Sequence, residues 1–170
     1  MKNKIGFIVF LLCCSLEIFA QTPRYFKVDT LKYSLLLTPP HGMKHPGALK
    51  VPYDIPITLK QDKKAVFDII ALLKEKFPQV SDEDFVALKM VIGKVFISKE
   101  GKVTYYEIRV PSECADILPR YEKKFYEVME TLSTWDFSRY GLNIPFKDES
   151  LKQYGVIGFP LLWIRSHLSE

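Results

Sequence analysis

"VFISKEGKVTYYEIRV", residues 95–110, reads as two strands joined by a turn. Apolar and β-branched residues stand on both sides of Lys99-Glu100-Gly101-Lys102, where a glycine supplies the backbone freedom that a tight turn requires. Strand character begins earlier, from about Leu88. "LKMVIGKVFIS" is rich in β-branched residues, and its Gly93 reads as a bulge that shifts the alternation by one. Pro111 ends the second strand.

On both sides of this hairpin the apolar period changes to that of a helix. Asp62 reads as the cap of a helix on which Val66, Ile69, Ile70, Leu73 and Phe77 form one stripe, and Pro78 stops it. Ser81 to Asp84 resembles a capping box at the start of one more short turn. A second amphipathic helix spans about residues 117–133, with Leu118, Tyr121, Phe125, Val128, Met129 and Leu132 on one face. Trp135 continues that stripe just past the helix end. An aromatic stripe at this spacing is a core face. Residues 136–154 read as irregular and polar. "GVIGFPLLWIR", residues 155–165, reads as a final strand, and Pro160 places it at a sheet edge. The order helix, strand, strand, helix, strand predicts an α+β domain: a small antiparallel sheet with two main helices on one face. The other face, or an edge, then remains open.

The termini and the composition bound the function. Lys2 and Lys4 precede an unbroken apolar run from Ile5 to Leu12, and Ala20 is a small residue at a cleavage point. Residues 1–20 therefore read as a cleavable signal peptide, with Gln21 as the mature N-terminus. Ile5 to Phe19 is shorter than the roughly 20 apolar residues of a membrane span, and it contains Glu17. A lipid anchor at Cys13 or Cys14 would place bulky Leu12 or Cys13 before the modified cysteine, where a small residue is usual. About 150 residues follow the signal, one ordinary domain in size. Residues 21–61 read as a partly extended N-terminal arm, because six of the eleven prolines fall between Pro23 and Pro56. Proline excludes a long helix or central strand there, although Tyr33 to Leu37 could pair with a sheet edge. Residues 62–170 read as the single α+β domain.

A net charge of +4 on 170 residues, with basic and acidic residues interspersed, is solvated surface and excludes a nucleic-acid partner. After signal removal Cys114 is the single cysteine, so the chain folds without an internal disulfide, which fits a bacterial periplasm or cell surface. No motif ties Cys114 to His41, His45 or His167. His41 and His45 are four residues apart in a proline- and glycine-rich segment without a third ligand in the pattern. Asp82, Glu83 and Asp84 lack the alternation and glycine of a calcium loop, and suit a helix N-terminus. There is no G-x-S-x-G and no phosphate-binding glycine loop. The expectation is a protein that is not an enzyme, without a metal or cofactor.

Val95, Ile97, Gly101 and Val103 come first, then the helix holding Phe125 and Val128, then Trp135, Gly141 and Pro160-Leu161-Leu162-Trp163. Taken in that order, with Phe77-Pro78 ahead of them, residues 77–165 resemble the C-terminal domain of TonB-type energy transducers. Transducers of that type keep an uncleaved membrane anchor and a long proline-rich linker, whereas here the signal reads as cleavable and the arm as short, and Phe137 stands where a proline often follows the tryptophan. The resemblance implies a periplasmic protein-interaction module. An extended peptide of an outer-membrane or other envelope protein would pair with the sheet edge by strand addition. It places partner binding on Leu161, Leu162, Trp163, Ile164 and Arg165. The alternative is an exported α+β domain that binds a small ligand in a cleft lined by Tyr105, Tyr106, Tyr126 and Tyr140.

Overall fold

The computed structural model describes residues 25–46, 57–145 and 154–160. The strands are β1 (Lys27–Thr30), β2 (Ser34–Thr38), β3 (Thr58–Leu59), β4 (Ile92–Ile97), β5 (Val103–Pro111), β6 (Leu142–Asn143) and β7 (Gly155–Pro160). The helices are α1 (Asp62–Lys76), α2 (Asp82–Leu88) and α3 (Leu118–Ser133), with 3₁₀ turns at Ser112–Ile117 and Phe137–Tyr140. Five strands form one antiparallel sheet in the order β1-β2-β5-β4-β7, and β3 pairs with β6 in a small second sheet. The α+β class is as expected.

The sheet is larger than the helix-strand-strand-helix-strand order implies, because the proline-rich arm contributes β1 and β2. Tyr33 to Leu37 pairs as its composition allows: Ser34–Thr38 runs beside β5, and β1 adds a further strand outside it. Pro39 and Pro40 fall just after this strand, so the arm's prolines bound the pairing without interrupting it.

The opening hairpin forms as read. Gly101 adopts φ +82°, and a Cβ there would stand 2.4 Å from the Ser138 amide nitrogen. The glycine thus serves the turn and also lets it dock on the 3₁₀ turn after α3, where the Phe137 amide donates to the Gly101 carbonyl at 2.8 Å. Lys102 pairs with Asp136 across this contact. The Lys102 ammonium and Ser138 hold the exposed Asp136 carboxyl at about 2. Residues 136–154 are therefore not uniformly polar: Phe137 and Tyr140 are completely buried.

Three local readings change. The β4–β5 register shifts between Phe96 and Ile97, not at Gly93, whose pairing with Ile108 is regular. Gly93 has a packing reason instead: a Cβ there would lie 2.5 Å from Cζ of Phe159, so its absence makes the seat for that ring. The residue before α1 is Gln61, and Asp62 is the first helical residue; its Oδ1 accepts from the Lys63 amide at 2.7 Å. Leu88 ends α2 rather than beginning a strand. Ser81 does cap α2, its Oγ accepting from the Asp84 amide at 3.1 Å.

The core lies between the sheet and the helices. Leu118, Tyr121, Phe125, Val128, Met129 and Leu132 of α3 are all buried, as the periodicity requires. They meet Ile69 and Leu73 of α1, and Val95, Tyr106 and Ile108 of the sheet, in one apolar cluster. Buried polar groups are paired, since each would otherwise lose hydration without compensation. Tyr106 donates to Glu130 at 2.7 Å, and burial followed by this bond pushes its phenol up. Asp84 accepts from Tyr121 at 2.8 Å and forms a two-pronged pair with Arg120, which ties α2 to α3.

Candidate functional site

A sheet edge exposes backbone donors and acceptors that nothing in the chain satisfies, and proteins blunt edges with charge or short strands. The two edges of this sheet differ in that respect. β1 is four residues long and carries Lys27 and Asp29, paired at 3.4 Å. β7 reads Gly-Val-Ile-Gly-Phe-Pro and carries no charge. It pairs with β4 from Gly155↔Ile97 to Pro160↔Ile92 and, among the described residues, has no strand on its other side. Alternate residues of an antiparallel strand turn their backbone groups away from the partner, so among the described residues β7 presents a row of groups on the side away from β4.

Two glycines of the sheet have internal reasons: Gly93 seats Phe159, and a Cβ at Gly155 would stand 2.6 Å from the Ile57 carbonyl oxygen. Gly158 is different. Among the described residues its nearest neighbour would be Cγ of Lys94, at 4.0 Å. Neither a turn nor close packing accounts for it, and glycine weakens a strand interior.

A groove of about 320 Å³ lies between β7 and the β3–α1 junction. Val156, Ile157 and Gly158 form one wall; Ile57, Thr58, Leu59, Asp62, Ala65 and Val66 form the other. No residue of β4 lines it, so it opens on the unpaired side of β7. The far wall is held in place by backbone bonds, with the Ile57 amide donating to the Tyr154 carbonyl, Lys60 to Gly141 and Gln61 to Tyr140. Periodicity reads Ala65 and Val66 as helix positions only. The register that carries them to β7 depends on the β3–β6 pairing, two residues long and without a sequence signature.

Leu161, Leu162, Trp163, Ile164 and Arg165 lie outside the described residues. The strand leading to them is at the sheet edge, where Pro160 had placed it. The four tyrosines do not line one cleft among the described residues. Tyr106 and Tyr126 both meet Phe26 edge-on, but Tyr105 faces the opposite side of the sheet and Tyr140 donates to Asp68. The enclosed space lined by Gly93, Phe125, Val128, Met129 and Phe159 is only about 10 Å³, room for one water-sized sphere.

His45 packs edge-on against Phe96 and Tyr105, and no group of three metal-ligating side chains occurs among the described residues. Cys114 is buried with its thiol directed at the Ala87 carbonyl, and burial, then Glu113, raises its pKa. Among the described residues no helix is long and apolar enough to cross a membrane. Compared with protein families, curated proteins and solved structures, the chain matches none.

Proposed function

We propose that the protein is an exported interaction module that takes an extended peptide of an envelope protein onto β7 by strand addition. The observation that carries this reading is the contrast between the two edges, one short and charged, the other uncharged and bordered by an apolar groove. Main-chain bonds to β7 supply affinity in such a mode, and side-chain pockets beside the strand supply selection. The resemblance to TonB C-terminal domains supports the same mode. The reading needs no catalytic group, cofactor or nucleic acid.

Export is tested by N-terminal sequencing of protein recovered from cells expressing the full chain. A chain starting at Gln21 is expected; one retaining Met1, or starting at a lipidated cysteine, would overturn cleavage after Ala20.

Strand addition is tested with a photo-crosslinking residue at Val156 in living cells, with exposed Phe67 on α1 as the control position. Val156 is expected to capture a defined partner and Phe67 is not. Proline at Val156 or Ile157 then separates the two directions of the β7 backbone. One of these amides belongs to the β4 ladder and the other faces outward, so one variant loses stability while the other stays folded and loses the crosslink. Capture that survives in both folded proline variants would exclude the edge as the site.

A further inference from the structure

The groove beside β7 presents one kind of charge, and this selects among extended peptides. The inference deepens the strand-addition reading and rests on it. Among the described residues, Asp62 is the only charged one lining the groove. It is exposed, spends one carboxylate oxygen on the Lys63 amide, and forms no ion pair among the described residues. The lysines around it do not neutralise the groove. At about 100° of rotation per helical residue, Lys63 is turned to the flank of α1 and Lys64 to the far side, whereas Ala65 and Val66 return beside Asp62. The stem of Lys60 lies against Gly141. The remaining lining is aliphatic, apart from the Thr58 hydroxyl and Gly158.

We propose that the occupant of β7 is an extended segment with aliphatic side chains at alternate positions and a lysine or arginine beside them. The aliphatic side chains face Ile57, Leu59, Val66 and Ile157, and the cation meets the Asp62 carboxylate. A second copy of this chain paired through Gly155–Pro160 alone fits less well, because that stretch carries no cation for Asp62.

Three fluorescein-labelled nonapeptides test this against protein purified from cells expressing the full chain. Each has valine at every second position, and the intervening positions are lysine, serine or glutamate. Fluorescence anisotropy at low ionic strength is expected to rank them lysine, serine, glutamate from tightest to weakest. An exposed ion pair is weak, so Asp62→Asn should cost the lysine peptide about three- to fivefold and leave the serine peptide unchanged. Asp62→Lys should invert the lysine–glutamate order. Asp62→Glu should keep it, which separates charge from any change in the start of α1.

Tightest binding by the glutamate peptide, or an order unmoved by Asp62→Lys, would overturn the inference while leaving strand addition intact. Failure of all three peptides while Val156 still crosslinks a partner would overturn it too. Loss of that crosslink as well would remove the underlying reading. A β7-dependent dimer in sedimentation would replace the peptide with a second copy.

Discussion

Phe125→Ala lowers the stability of the protein by about 3–5 kcal/mol, the usual cost of deleting a buried phenyl ring. The ring is 1 % exposed and lies 5.7 Å from Phe77 and 6.4 Å from Tyr121, centroid to centroid. It therefore sits where the end of α1, the middle of α3 and the sheet converge. The small void beside it, lined also by Val128, Met129 and Phe159, shows that the surroundings have not collapsed onto every available space. Truncation enlarges an existing defect rather than leaving a site that closes. Domains are stable by about 5–15 kcal/mol, so this one change removes a large share of the total. Thermal unfolding by circular dichroism should fall by about 10 °C or more. Phe67→Ala, on the exposed side of α1, should stay within about 0.5 kcal/mol of the parent. Equal effects of the two substitutions would mean that α3 does not present Phe125 to the core.

The stripe holding Phe125 was legible because α3 obeys one rule along its whole length. Residues three and four apart share a face, and every member of that face is buried. The Val95–Val110 hairpin was legible for a similar reason, with strand residues on both sides of a glycine turn. What the sequence did not convey were contacts between distant segments. β2 has a readable strand composition, but nothing local says that it lies beside β5 and not at the periphery. Phe137 and Tyr140 sit in a stretch too short for periodicity, and they are buried as part of the core cluster, with Tyr140 also bonded to Asp68 of α1. The edge position of β7 was readable from Pro160. The groove beside it was not, because its far wall comes from residues 57–66, nearly a hundred positions earlier.

Gly93 is the position where this difference between local and distant causes can be measured. Read locally, a glycine in a β-branched strand is a bulge or a weak point, and Gly93→Val would be neutral or stabilising through its strand preference. The structure requires the opposite. A Cβ at position 93 would meet Cζ and Cε2 of Phe159 at 2.5 and 2.6 Å, and that ring is 1 % exposed. The space between the ring and Phe125, Val128 and Met129 of α3 holds only about one water-sized sphere, too little for the ring to swing clear of a valine side chain. Gly93→Val should therefore cost about 1–3 kcal/mol, the range for overpacking a filled core. The loss should also be local. Phe159 is the fully buried anchor of β7, so hydrogen exchange at residues 155–160 should accelerate more than across the β4–β5 hairpin. Phe159→Ala in the same chain removes the clash, and the double variant should be more stable than the sum of the two single losses predicts. Crosslinking at Val156 should weaken along with the protection of β7, because an added strand needs a fixed edge to pair with. Additive losses, or protection lost evenly over the sheet, would show that Gly93 is not the seat of Phe159 and that β7 is held by something else.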